Sequence, residues 1–286
     1  MKRIGILANC GKERAPEVLK GLADMAGKLN LDLVADEDTA PLLHRCRALP
    51  IDQLCDEVEA VMALGGDGTM LRAVRALDGR DKPVIGVNIG SLGFLTTVAE
   101  DELGQALKCL STGDFNTSIR AIAEARLVRN NVEIAMYRGL NDIVVRSGPS
   151  GRVVTLDVAL ESEKVTSYIC DGLIVSTPTG STGYSLSAGG PIITPDTSAF
   201  VISLICPHTL SSRPLVVPDN IQISITAARS SGDLRLNVDG QVGQPLGEGD
   251  CVKIRRSDKG VRLLHLPGYS YFSVLRQKLH WRGSAG

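Results

Sequence analysis

The 286-residue sequence carries no excess of charge: 31 Lys and Arg against 32 Asp and Glu leave a formal net charge of −1. A chain so balanced has no global basic field with which to hold nucleic acid or an anionic membrane, so any anionic ligand must be held by a local site. It also lacks a Cys-x-x-Cys pair. The seven cysteines, at positions 10, 46, 55, 109, 170, 206 and 251, show no zinc-type spacing with the four histidines, which predicts free thiols in a reducing cytosol. No apolar run approaches the ~20 residues of a membrane span, and Met1-Lys2-Arg3-Ile4 opens into a strand pattern without a signal-peptide core. The expected location is cytoplasmic. Repeats, low-complexity tracts and a long flexible linker are missing as well, so the parts of the chain should pack closely.

What is present is glycine concentrated between a strand and a helix. Val61–Leu64 is an apolar run of the kind buried in a parallel sheet, and Met70, Leu71 and Val74 begin a helix-period pattern. Between them lies Gly65-Gly66-Asp67-Gly68-Thr69, whose glycines let the backbone turn sharply with its N–H groups uncovered at a helix N-terminus. This is an anion site. It lacks the Gly-Lys-Ser/Thr ending of a Walker A loop and the spacing of the dinucleotide fingerprint. A carboxylate at Asp67 repels phosphate oxygens unless it binds a metal or takes a proton; otherwise it caps the following helix. The residues alone leave both readings open.

The surrounding pattern is βα. Strands are expected at 2–8, 31–35 and 83–88, and helices from Pro16 through Leu29, from Thr69 to Leu77 and from Asp101 to Leu110. Residues 36–55, with Pro41 and Pro50, read as loop with short helical pieces. A second glycine-bearing loop, Ile89–Leu95, should emerge at the same sheet edge as the first; Phe94 either lines a ligand crevice there or belongs to the core. Near residue 115 the texture changes to short Val-, Ile- and Thr-rich segments: 118–129, 132–137, 140–146, 152–161, 165–170, 172–177, 199–206, 221–227, 233–238 and 251–256. That spacing predicts an antiparallel all-β domain, with hairpin turns at Asn130-Asn131 and Ser162-Glu163-Lys164. The expected organisation is an α/β domain over 1–115, an all-β domain over 116–268, and a helix within 269–286 that packs back on the first domain.

Two further stretches narrow the chemistry. Asn141 and Asp142 stand within an apolar strand, where a buried polar pair must find partners, and the Asn141 amide has the donors and acceptor to match an adenine edge or ribose hydroxyls; a turn or strand-end role is the alternative. Asp171 precedes a strand and then Pro178-Thr179-Gly180-Ser181-Thr182-Gly183-Tyr184-Ser185-Leu186-Ser187, where small hydroxyls and glycines can bring N–H groups against a ligand and Tyr184 offers a face to a base. A serine nucleophile is disfavoured, since this is no Gly-x-Ser-x-Gly elbow and no histidine is near in sequence. His208 reads first as a structural, hydrogen-bonded histidine in a tight turn, with a direct role as the alternative.

Gly65–Thr69 resembles the signature of a kinase superfamily that includes NAD kinases, diacylglycerol and sphingosine kinases and, more distantly, phosphofructokinases. Taken with Leu140–Asp142, Asp171–Pro191, Pro207–Pro214 and Asp239–Gln241, in that order and spacing, the chain resembles the NAD kinases over nearly its whole length. The lipid kinases share the glycine motif without the glycine-serine and His-Thr-Leu-Ser-Ser-Arg-Pro segments. The resemblance implies a Rossmann-like α/β domain, a β-sandwich-like second domain, an active site in the cleft between them, and a homodimer or homotetramer. It implies transfer of the ATP γ-phosphoryl group to the 2′-hydroxyl of the adenosine ribose of NAD, with Mg²⁺ or another divalent cation arriving with ATP and no metal cage in the protein. Polyphosphate is a possible alternative donor. By the same resemblance Asp67 is the base, Gly68 and Arg72 approach phosphate, and Asn141, Asp142, Asp171, Thr182, Gly183, Tyr184, Ser185, Leu186 and Ser187 hold NAD, with Arg152 and Gln241 as further binding positions. This chain departs from many relatives in having Asp142 for Glu, Ile169 for Arg and Gly183 for Ala.

Overall fold

The computed structural model describes residues 1–43, 46–148, 153–209, 211–230 and 233–281. In chain order the first elements are β1 (Arg3–Ala8), α1 (Ala15–Lys28), β2 (Asp32–Asp36), β3 (Arg47–Leu49), α2 (Ile51–Glu57), β4 (Ala60–Gly65), α3 (Asp67–Leu77), β5 (Val84–Asn88), α4 (Leu103–Thr112) and β6 (Asn116–Arg120). There follow β7 (Ala123–Arg129), β8 (Val132–Gly139), β9 (Asp142–Ser147), β10 (Val154–Leu160), β11 (Glu163–Cys170), β12 (Gly172–Ser176), α5 (Tyr184–Ser187), β13 (Ala199–Ile205) and β14 (Leu215–Pro218). The last are β15 (Ile223–Ser230), β16 (Leu234–Val238), β17 (Val242–Leu246), β18 (Cys251–Arg256), β19 (Val261–His265) and α6 (Tyr271–Lys278). They form two compact units, Met1–Ile119 with Val261–Gly286, and Arg120–Gly260.

The first unit is a seven-stranded sheet in the order β3-β2-β1-β4-β5-β19-β6, in which β1 through β5 pair in parallel. β4 is buried along its whole length, as expected of a strand covered on both faces. Proline in the first turn sets the start of α1, and Val18, Leu19, Leu22 and Ala26 share its buried stripe with Ile4, Ile6, Met62 and Leu64 of the sheet. Strand order reverses between β1 and β4. The loops after their carboxyl ends therefore lie at the switch point where open α/β sheets bind ligands.

The second unit is a β-sandwich. One sheet runs β11-β10-β15-β18-β7-β8, the other β14-β13-β12-β9-β16-β17, with antiparallel neighbours. Alternation does the work: Ile143 and Val145 of β9 join Leu173, Phe200, Leu236, Leu156, Ile225 and Val252 in one core drawn from both sheets. Asp142, Val144 and Arg146 point the other way, onto a face where all three line a cavity.

Several sequence expectations change. Within 36–55 the helical pieces exist, but Arg47–Leu49 is a short, mostly exposed edge strand with no apolar pattern to reveal it. The segment 118–129 is two strands, and β6 joins the first sheet. β19 does so too, so the chain returns to the first unit at Val261 rather than at Tyr269. β14 and β17 are further strands that the sequence reading lacked. Asn130 and Asn131, both at positive φ, make the expected two-residue turn. The next hairpin turns at Glu161-Ser162 instead, because Glu163 already pairs with Leu160; β11 exposes its polar residues at the sheet edge. None of the described helices is long and apolar enough to cross a membrane.

Candidate functional site

In the first unit the site is built on the loops after β1, β4 and β5. Gly66 is the N-cap of α3 and Asp67 its first residue, but the Asp67 side chain makes no capping bond. It reaches across to the second glycine loop. Oδ2 accepts from the Phe94 N–H at 2.9 Å, while Oδ1 accepts from the N–H groups of Leu95 at 2.9 Å and Thr96 at 3.1 Å and from the Thr96 hydroxyl at 3.3 Å. Hydrogen bonds to a charged group contribute roughly 1.5–3 kcal/mol each, so this carboxylate fixes the loop and is fixed by it. A carboxylate has about four acceptor sites, and the single bond to Oδ2 leaves that oxygen the less occupied one. Gly93 is required here: a Cβ on it would overlap the Asp67 carboxylate.

The rest of that loop is tied by its carbonyls. Lys12, on the turn after β1, donates to the Ile89 carbonyl; Asn88 Nδ2 donates to Gly90 at 2.6 Å; Lys278 of α6 donates to Leu92 at 2.7 Å. Phe94 is half-buried with the Lys278 ammonium 5.6 Å from its ring centre, and Leu95 is core. Arg72, the expected phosphate-reaching cation, is ion-paired to Asp36 and, at 3.4 Å, to Asp38. The half-buried ammonium of Lys12 lies beside the glycine loop; the sequence reading overlooked it because Asn9–Lys12 looks like an ordinary polar turn.

In the second unit the glycine-serine segment folds onto the outer face of β9 and β12. The Thr177 hydroxyl donates to the Leu140 carbonyl at 2.5 Å and its N–H to Asn141 at 2.9 Å. Gly180 packs against the Asn141 backbone so closely that a Cβ would overlap its carbonyl. Asn141 precedes β9 and points its amide nitrogen toward Gly183. A cavity of about 370 Å³ opens here, with Asn141, Asp142, Arg146, Tyr184, Asn237 and Asp239 in its wall. Ser181 is fully buried and bonded to Pro178 and Ile193, and Ser185 pairs with Ser203 at 3.0 Å, so neither is presented as a nucleophile. Thr182 bonds back to Thr179 at 3.2 Å; Leu186 is half-buried and Ser187 exposed on α5. Asp171 bridges strands through its backbone, its N–H to Ile205 at 3.0 Å and its carbonyl from Ser147 at 2.8 Å. Gln241 is exposed in the β16–β17 turn, Ile169 is 49% exposed, and His208 is exposed rather than packed, held through its backbone N–H to Ile169. Arg152 lies outside the described residues.

Asp239 was named in sequence only as part of a motif, yet it organises this site. Its carboxylate accepts the N–H groups of Leu140 at 2.9 Å, Asn141 at 2.7 Å and Asp142 at 3.1 Å. It stands at positive φ before Gly240, in a tight turn, and Asp-Gly is a turn signal that could have located it. Asp142 is 5% exposed and takes no side-chain hydrogen bond from the described residues, so its carboxyl is pushed up to about 7, first by burial and then by the Asp239 charge. The folded value lies above the unfolded one, so the native state keeps a proton that the unfolded chain has released. Stability from this group therefore declines as pH rises from about 4 to about 7 and is constant above that. Urea unfolding at pH 5 and pH 8 should show this decline in the wild type and a smaller one in Asp142→Asn.

Two family models match the chain, one in each half. Residues 4–115 match the ATP-NAD kinase N-terminal domain and residues 140–266 the ATP-NAD kinase C-terminal domain. The NAD kinase of Magnetococcus marinus is 44% identical over 290 residues, covering 100% of this chain and 96% of that relative. The chain belongs to the NAD kinase family. The NAD kinase of Gemmatimonas aurantiaca is 40% identical, covering 99% of this chain and 98% of its own. The same fold is found in yeast NADH kinase complexed with NADH, with TM-score 0.92, 24% identity and coverage of 100% of this chain and 89% of that one. It recurs in an NAD kinase from Archaeoglobus fulgidus in complex with ATP, with TM-score 0.76, 23% identity and coverage of 98% and 100%. As an NAD kinase, this chain transfers the γ-phosphoryl group of ATP to the 2′-hydroxyl of the adenosine ribose of NAD, forming NADP.

Proposed function

We propose that Asp67 is the base of this reaction and that the Asn141–Asp142 and Thr182–Ser187 segments, with Asp171, Gln241 and Arg152, hold NAD. The observation that carries the first role is the asymmetry of the Asp67 carboxylate: Oδ1 is engaged by three donors, whereas Oδ2 accepts one and keeps a lone pair for the attacking hydroxyl. Phosphoryl transfer needs alignment and charge neutralisation more than covalent chemistry, and an aspartate can take the hydroxyl proton late, as the O–P bond forms. For NAD, the support is a cavity with the buried Asp142, the Asn141 amide and the exposed Tyr184 ring in its wall, which suits ribose hydroxyls and a base.

ATP enters as its Mg²⁺ complex, since Mg²⁺ keeps several waters and needs few protein ligands. Arg72 serves phosphate only by leaving Asp36, a buried partner, so Gly68 and the loop N–H groups are the first contacts for the triphosphate and Arg72 a later one. The seven free cysteines agree with a cytoplasmic setting. Val132, Ile134 and Met136, alternate residues of β8, are exposed at 41–61%, a row whose covering by a second copy would make the homo-oligomer. A solution mass of one chain by light scattering would contradict that assembly.

The test of the reaction is NADP formation by the purified protein with NAD, ATP and Mg²⁺, repeated with polyphosphate and with NADH. Product with ATP is expected; NAD binding with no product from either donor would instead favour a nucleotide sensor.

A further inference from the structure

The carboxylate of Asp67 is positioned by three consecutive N–H groups, Phe94 to Thr96, and these are only as fixed as the loop that carries them. The β4–β5 ladder ends with the Ile89 N–H bond to the Gly65 carbonyl at 2.9 Å; beyond it, among the described residues, side chains hold the loop through its carbonyls. Two of the three carbonyl anchors come from lysines remote in sequence, Lys12 at Ile89 and Lys278 at Leu92. The Lys278 contact is the one nearest to the N–H groups themselves. Its half-buried ammonium holds the Leu92 carbonyl at 2.7 Å and stands over the Phe94 ring, so a single group grips the residues on both sides of Gly93, where the Asp67 carboxylate comes closest. α6 is anchored in turn by buried Val274 and Leu275 and starts with a Ser270 cap onto Ser273.

We infer that Lys278, on the C-terminal helix, is a positioning residue for phosphoryl transfer: it fixes the Leu92–Phe94 turn and through it the orientation of Asp67. The inference rests on the reading of Asp67 as base. Losing a support of this kind misplaces the reacting carboxylate without touching the groups that hold NAD, so the effect belongs in kcat rather than in the KM for NAD.

The experiment is steady-state kinetics on wild type, Lys278→Met, Lys278→Arg, Asp67→Asn and the double variant Lys278→Met/Asp67→Asn, each with a melting curve. Lys278→Met should lower kcat by about ten- to a hundredfold with the KM for NAD within about twofold. Lys278→Arg, which keeps the cation and donor, should recover part of the loss. In the Asp67→Asn background, Lys278→Met should cost nothing more, because the group it positions is gone. Wild-type kcat in Lys278→Met, a change confined to KM, or an equal loss in both backgrounds overturns the inference. Wild-type turnover in Asp67→Asn overturns the base reading itself and is told apart by that variant alone. Should Lys278→Met fail to fold, Phe94→Leu removes only the ring beneath the ammonium, and its loss of kcat must likewise vanish in Asp67→Asn.

Discussion

Asp67→Asn is expected to lower kcat by about 10²- to 10⁴-fold while the dissociation constant for NAD stays within about twofold. The direction follows from how the carboxylate is held. The Oδ1 position receives three donors, so the amide oxygen of an asparagine must settle there and its NH₂ must take the Oδ2 position. That turns the atom facing the attacking hydroxyl from acceptor to donor, and it sets a donor against the Phe94 N–H. The second conflict costs about 1–3 kcal/mol of loop stability. A melting curve and NAD titration of the variant separate it from unfolding, since the groups proposed to hold NAD belong to the second unit.

Gly180→Ala should have the opposite signature. A Cβ at position 180 overlaps the carbonyl of Asn141, which is backbone and cannot rotate away, so the Thr179–Ser187 segment or the entrance to β9 must move. Overpacking of this kind costs about 1–3 kcal/mol. Here the displaced atoms bear the Asn141 amide and the Thr177 bonds to Leu140 and Asn141. NAD affinity should fall by at least about tenfold, the equivalent of some 1.4 kcal/mol, measured by calorimetry, with kcat at saturating NAD much less affected. Unchanged affinity would mean that the segment does not contact NAD. Gly183→Ala is the milder comparison: its Cβ would meet the Gly180 carbonyl at 3.2 Å and the Asn141 amide nitrogen at 3.7 Å, contacts relieved by a small shift, so its effect on NAD affinity should be the smaller of the two.

Most of the first sheet was legible because buried parallel strands announce themselves as apolar runs, as Ala60–Gly65 does, and because proline marks the start of α1. Arg47–Leu49 was not, since an exposed edge strand of three residues has no period to read. β6 overlapped a segment expected as strand and β19 was not expected at all, and nothing local in Asn116–Arg120 or Val261–His265 says which sheet they join; that is settled by long-range pairing. The same limit governs the site. Asp67 stood out because a carboxylate in a glycine turn is chemically odd, and the Asn141–Asp142 pair because it reads as polar groups within an apolar strand. What these groups bond to was invisible: Asp67 to a loop some thirty residues on, Arg72 to Asp36 and Asp38, and three successive N–H groups to Asp239. Family resemblance located residues. It did not reveal that the Asp67 carboxylate is held by backbone, or that a lysine near the C-terminus grips the same loop.

In the proposed roles the proton acceptor belongs to the first unit and the NAD-holding groups to the second. The most direct measurement is NAD binding by calorimetry beside NADP formation, on Asp67→Asn and Gly180→Ala in the same buffer. A crossed result is expected: Asp67→Asn binds NAD and scarcely turns it over, whereas Gly180→Ala binds NAD poorly and turns over what it binds. Near wild-type turnover in Asp67→Asn, or loss of NAD binding from that substitution alone, would contradict it.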